Sequence, residues 1–175
     1  MSRQHPQPSE SADGDRIAHA ELTVFADDST ITIRDSAAAV DGTTPPWFQA
    51  LLQDFVAAQD GAIGITTARP VNVPLTVEVR THEPSDDLQR WDHVTETGLH
   101  TPTGQLITSP FPRPHNDPGT VTIAPGHYAA RIHHGGLDTI SADGLDGDDH
   151  YHLVLWPDTP RPTRVLKRYP HAIGG

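Results

Sequence analysis

Between residues 71 and 80 every odd position is Val or Leu: Val71, Val73, Leu75, Val77 and Val79. A period of two puts these side chains on one face of a β-strand and turns that face toward a core. Pro74 points the other way and has no N–H to give a ladder, which predicts an edge position or a bulge near the start of the strand. A second run, His150-Tyr-His-Leu-Val-Leu-Trp-Pro157, sets His152, Val154 and Trp156 on one face and Tyr151, Leu153 and Leu155 on the other. That strand has apolar surface to bury on both sides, as a layered or closed all-β structure would provide.

Shorter alternating segments follow the same pattern. Residues 21–25 and 30–34 are separated by Ala26-Asp-Asp-Ser29, which reads as a hairpin loop. Residues 62–66, 91–97 and 104–108 are further strand candidates. Residues 120–123, the turn Ala124-Pro-Gly126 and residues 127–133 read as strand, turn and strand. In the last of these, Tyr128, Ala130, Ile132 and His134 share one face, and His127, Ala129, Arg131 and His133 share the other. One segment has helical spacing. Over residues 45–55, Trp47, Leu51 and Phe55 recur every fourth position, Phe48 and Leu52 widen the stripe, and the tandem prolines suit a first turn. The sum is roughly eight strands and one short helix, which predicts an all-β fold, an antiparallel β-sandwich. The expected organisation is a flexible leader over 1–15, one domain over 16–157, and a proline-rich basic tail over 158–175.

Composition narrows the function classes. The chain has 175 residues and a formal charge of -11, with eleven arginines and one lysine, so nucleic acid is not an expected ligand. A basic protein partner suits that charge. The absence of cysteine excludes disulfides, thiolate-bound zinc and thiol catalysis. No apolar run approaches the length of a membrane span, and Met1-Ser-Arg-Gln-His-Pro6 lacks the apolar stretch of a secretory signal. No membrane association and a cytoplasmic location are therefore expected.

Three groups of residues have the chemistry for a site. His150 and His152 share one strand face beside Asp148, a spacing at which two imidazoles and a carboxylate can hold a transition metal, with His133 or His134 as a third ring. This is the alternative reading, a small-ligand or metal-binding protein. Twelve histidines make a close pair unremarkable by chance, and no carboxylate follows the pair. The second group is the acidic turn Asp143-Gly-Leu-Asp146-Gly-Asp148-Asp149. It lacks the closing Glu of a helix-loop-helix calcium loop. As a functional element it suits arginines or lysines of a protein partner. The third is hydrolytic catalysis, for which no Gly-x-Ser-x-Gly elbow, phosphate-binding glycine loop or His-Glu-x-x-His helix is present. Trp47, Trp91 and Trp156 each sit within an apolar pattern and are expected in packing roles. No cofactor is expected.

The ordered series Leu22-Thr-Val-Phe25, Ala58-Gln-Asp-Gly-Ala-Ile63, Trp91-Asp-His-Val-Thr95, Ala124-Pro-Gly-His-Tyr128 and Tyr151-His-Leu-Val-Leu-Trp156 resembles the competence protein J family, also called nuclease inhibitor proteins. The resemblance covers about residues 20–157. It implies a bacterial, cytoplasmic binding protein without chemistry of its own, since the family's founding member binds and inhibits a DNA-entry nuclease. Under that resemblance Asp146, Asp148 and Asp149 stand in for DNA phosphates in a basic cleft, Tyr151 or Trp156 anchors the contact if exposed, and the expected partner-binding residues are Asp143, Asp146, Asp148, Asp149 and Tyr151. The segments 109–119, 143–149 and beyond 157 have no match in the family pattern and are where a binding surface would be set.

Overall fold

The computed structural model describes residues 14–85, 87–108 and 119–174. The expected leader, apart from its last two residues, and nearly all of the proline-dense segment 109–119 lie outside the described residues. Among the described residues, eleven strands form two open sheets. The larger has the order β1 (Arg16–Phe25), β5 (Asn72–Arg80), β10 (His150–Pro157), β9 (Gly126–Gly135), β6 (His93–Thr101) and β11 (Arg164–Lys167). The smaller has the order β3 (Val56–Gln59), β4 (Ala62–Thr66), β2 (Thr30–Asp35), β7 (Gln105–Thr108) and β8 (Gly119–Thr122).

The expected alternations hold, and they explain the core. Val73, Leu75, Val77 and Val79 of β5 join Tyr151, Leu153 and Leu155 of β10 in one buried cluster. Ile31 and Ile33 of β2 and Ile63 and Ile65 of β4 complete it from the other sheet. Each such side chain removed from water stabilises the fold by about 1.5–3 kcal/mol.

Four expectations are corrected. First, the larger sheet is mixed and not purely antiparallel: β5 and β10 run parallel, with Tyr151 opposite Leu75 and Leu155 opposite Val79. Parallel neighbours need a long crossover, and here four intervening strands supply it. Second, residues 26–29 are not a hairpin loop. β1 pairs with β5 in one sheet and β2 pairs with β4 and β7 in the other, so the segment is a corner between sheets. Asp28 and Ser29 turn it with φ of 50° and 54°. Ala124-Pro-Gly126 makes a second such crossing, from β8 to β9, where the Tyr128 hydroxyl donates to the Ala124 carbonyl at 2.6 Å. Third, β5 is interior, although Pro74 suggests an edge or bulge. The pairing with β10 begins only at Leu75, one residue past the proline, so Pro74 stays out of that ladder. Fourth, the strand count exceeds eight because β3 and β11 are four residues each and hidden by context. β3 is alanine-rich and follows directly on the helix, while β11 lies among prolines.

Helix α1 (Pro45–Asp54) has prolines in its first turn and ends at Phe55, whose φ of 59° is left-handed. It packs on the far side of the smaller sheet through Trp47 and Leu51 against Ala57 and Ala62. Gly64 makes room for the indole, since a Cβ there would stand 2.5 Å from Trp47 Cζ2.

Residues 158–174, which composition sets apart as a tail, pass back over the larger sheet. β11 pairs with β6, and the backbone of Arg161 lies so near Gly98 that a Cβ would meet it at 3.1 Å. Arg161 donates to Glu96 Oε1 at 2.9 Å, and Arg131 donates twice to Glu96 Oε2 at 2.9 and 3.1 Å. Arg131 also lies over the Trp156 ring, 5.1 Å from its centroid. These contacts bury the outward-facing Ala129, Val154 and Trp156.

Candidate partner-binding site

The acidic loop bridges β9 and β10 at one end of the larger sheet. It starts with a 3-10 turn, Leu137–Thr139, behind Gly136, where φ is 69° and a Cβ would stand 2.3 Å from the Asp148 carbonyl oxygen. Its own hydrogen bonds fix its shape. Asp143 Oδ1 accepts from Ser141 Oγ at 2.5 Å and from the Leu145 N–H at 3.0 Å. The Asp146 N–H donates to Ser141 Oγ at 2.9 Å, and the Asp148 N–H donates to Thr139 Oγ1 at 2.7 Å. Donation by Ser141, then by the Leu145 N–H, holds the Asp143 carboxyl below the usual carboxylate range.

A second set of bonds ties the loop to the sheets. Arg69, from the segment between β4 and β5, donates through Nε to Asp149 Oδ1 at 2.5 Å and through Nη1 to the Leu145 carbonyl at 3.1 Å. The Tyr151 hydroxyl donates to Asp149 Oδ2 at 2.6 Å and accepts from the Ala68 N–H at 2.7 Å. Burial and the Asp149 carboxylate both push the Tyr151 phenol up, so it stays protonated as a donor.

The five residues expected at a partner surface therefore divide. Asp143, Asp146 and Asp148 are exposed. Asp149 and Tyr151 are each 1% exposed and tie the loop to the sheets. The Arg69 guanidinium and the Tyr151 hydroxyl offset the cost of taking the Asp149 carboxylate out of water, and strand alternation turns Tyr151 inward with Leu153. Trp156, the other expected anchor, is also inside. The exposed apolar side chain of the loop is Leu145, at 52%. Its signal was present in the sequence as a lone Leu between acidic turns, whereas Arg69 carried none.

The histidine group is differently built. His150 and His152 do share a face, and His133 lies across from His152 on β9. Trp91 covers all three, with its ring 4.9 Å from His133, 5.4 Å from His150 and 5.8 Å from His152. His150 Nδ1 donates to the Asp148 carbonyl at 2.9 Å, His133 Nδ1 donates to the His152 carbonyl at 3.2 Å, and His152 Nε2 donates to Glu78 Oε2 at 3.1 Å. Asp148 thus meets His150 through its backbone. His134 belongs to the opposite face, where Nε2 donates to the Thr66 carbonyl at 2.9 Å. Among the described residues no three His, Asp or Glu side chains converge on a point suited to a metal ion. Burial, with His152 adding repulsion, holds His133 down at about 3, and burial, with His93 adding repulsion, does the same to His134.

No family model matches the sequence, and no curated protein matches it. The structure does have counterparts. The fold is similar to that of ComJ. That protein, from Bacillus subtilis, is an inhibitor of the DNA-degrading activity of NucA; it superposes with a TM-score of 0.58 at 12% identity over 82% of this chain and 97% of ComJ. A protein described as crocagin biosynthetic gene J superposes with a TM-score of 0.55 at 15% identity over 81% of this chain and 98% of its own. The competence protein J resemblance seen in the sequence thus extends, distantly, to the fold. Among the described residues no helix is long and apolar enough to cross a membrane.

Proposed function

We propose that this protein is a cytoplasmic, non-catalytic β-sandwich that binds a basic protein, of nuclease type, and blocks it. The observation that carries the reading is the acidic loop: three exposed carboxylates around the exposed Leu145, held in one shape by Arg69 at the end of a ComJ-like fold. Asp143, Asp146 and Asp148 take the place of substrate phosphates in the partner's basic cleft. Fixed carboxylates lose little freedom on binding, and their field accelerates encounter with a basic surface. Asp149 and Tyr151 position the loop and do not touch the partner.

The test is recovery of the partner at low salt from the organism's own lysate, its identification, and assay of its DNA-degrading activity with and without added protein. Recovery of a basic nuclease that loses activity on mixing is the expected result. Replacing Asp143, Asp146 and Asp148 by Asn keeps the loop's acceptors but removes three charges. Association should slow by about tenfold or more at low salt, with a flatter salt dependence. Unchanged association by that variant would end the phosphate-mimic reading.

A further inference from the structure

Helix α1 leaves part of its apolar stripe uncovered. Trp47 and Leu51 face the smaller sheet, but Phe48 is 49% exposed and Leu52 is 71% exposed one turn further on. Side chains four apart on a helix are neighbours, so the two form one apolar ridge. Beside it lies a groove of about 250 Å³ between α1 and the outward face of β2, floored by Thr30, Thr32 and Trp47. Asp27, Asp28 and Asp41 line the groove together with Phe48, and among the described residues no basic one does.

Two of these aspartates belong to the corner between sheets, which is well held. The Thr67 N–H donates to the Ser29 carbonyl at 2.8 Å, and the Ala26 N–H donates to the Val71 carbonyl at 3.0 Å. The left-handed φ of Asp28 and Ser29 keeps the corner turned outward. Asp41 is fixed by accepting from the Thr43 N–H at 3.0 Å and the Thr43 hydroxyl at 2.5 Å. Those two donations hold its carboxyl below the usual range, so it is anionic at neutral pH. Arg69, which anchors the acidic loop, sits between Thr67 and Val71, the two residues that grip the corner.

We propose that this groove is a docking surface for a basic protein segment in which an apolar side chain is flanked by Lys or Arg. The apolar side chain lies on Phe48 and Leu52 and against Trp47, while the flanking cations meet Asp27, Asp28 and Asp41. An apolar centre with a charged rim is the usual build of a specific interface, and the rim's sign selects the occupant. The inference rests on the reading of a basic protein partner and adds a second contact, on the smaller sheet, to the loop on the larger one.

The test uses the full chain, labelled with nitrogen-15, and three synthetic hexapeptides titrated at low salt. One is Lys-Arg-Leu-Phe-Arg-Lys, one has Ser for both apolar residues, and one has Gln for all four cations. The first should bind saturably and shift the amides of residues 27–30, 41–43 and 47–52. Each control should bind about tenfold more weakly or worse. Phe48→Ala with Leu52→Ala should weaken the first peptide by about tenfold. Asp27→Asn with Asp28→Asn should weaken it less and flatten its salt dependence. Equal binding of the Ser peptide, shifts confined to residues 141–148, or no shift at millimolar peptide would each overturn the proposal. Failure of the nuclease reading looks different: the peptide docks on α1, and no nuclease is inhibited. Inhibition that survives loss of Phe48 and Leu52 but not loss of the loop aspartates would retain that reading and overturn this one.

Discussion

Arg69 is a loop residue with one job in the structure, and its removal tests how the acidic loop is held. Its partner Asp149 has a side chain with 0% exposure, and Arg69 itself retains only 12%. Arg69→Met keeps most of the side-chain volume and removes the guanidinium, leaving the carboxylate with the Tyr151 hydroxyl alone. Stranding a buried charge in this way costs about 3–5 kcal/mol. The Leu145 carbonyl loses its bond as well, worth about 1 kcal/mol. The pair is close to the surface on the arginine side, so we expect the lower part of that range, about 3–4 kcal/mol in total. Urea unfolding at pH 7, followed by tryptophan fluorescence, measures it. The companion variant Arg69→Met with Asp149→Asn removes the stranded charge, keeps an acceptor for Tyr151, and should recover at least half of the loss, a coupling visible in the double-mutant cycle. Backbone amides of residues 141–148 should exchange faster in the single variant than in the double one. A single-variant loss below 1 kcal/mol, or strictly additive losses, would refute the view that this ion pair holds the loop.

Two further predictions concern the scaffold. Gly64→Ala should cost about 1–3 kcal/mol, because its Cβ would stand 2.5 Å from a tryptophan atom within an already filled layer; thermal melts of Gly64→Ala and of Gly64→Ala with Trp47→Leu would show it, the second variant losing less than the sum of its parts. Acid should weaken the fold before its carboxylates titrate. Burial lowers His133 and His134 to about 3, so both stay neutral when folded while the unfolded chain takes up protons near the ordinary histidine value of 6.5, and burial lowers His93 and His152 in the same direction. The contribution of His133 and His134 is complete above about pH 6.5 and is lost as the pH falls toward 3, on the order of 2 kcal/mol each between pH 7.5 and 5. Asp35 is pulled to about 2, burial raising it but bonds from Thr101, the Ala37 N–H and Thr103 outweighing that, so its loss begins only below 3.8. A urea midpoint that is flat from pH 7.5 to 5 would contradict the histidine argument.

The strand faces were legible because a period of two needs no knowledge of partners: β5, β9 and β10 bury the side chains their alternation marks. Pairing was not legible. The segment 26–29 has the length and composition of a hairpin loop, and nothing local says that the strands on either side of it lie in different sheets. That information resides in long-range contacts, such as Val24 opposite Val73 and Ile31 opposite Ile65. β3 and β11 were invisible for a related reason. Val56–Gln59 has the composition of a helix exit, and Arg164–Lys167 has only Val and Leu to mark it among prolines, so their strand state comes from the neighbours they add to. The parallel β5–β10 pair also leaves no local trace, since both strands are apolar on the face they share.

The candidate site shows the same limit in a sharper form, because charge in a sequence does not carry its own exposure. Asp148 and Asp149 are adjacent and identical in type, yet one is exposed and the other is 1% exposed. What separates them is Arg69, distant in sequence, and the inward turn of Tyr151 two residues on. By composition both count toward a partner surface; in the structure Asp148 is exposed, and Asp149 is buried against Arg69 and Tyr151. The distinction matters for any test of binding. Substituting Asp149 would weaken a complex by loosening the loop, and the loss would imitate that of a contact residue in affinity while showing itself in stability and amide exchange. Asp143, Asp146 and Asp148 can be neutralised as Asn with the loop's acceptors in place, so a change in association rate there reports charge and not folding. The same reasoning makes Phe48 and Leu52 informative probes, since their exposure means that truncating them leaves the core untouched.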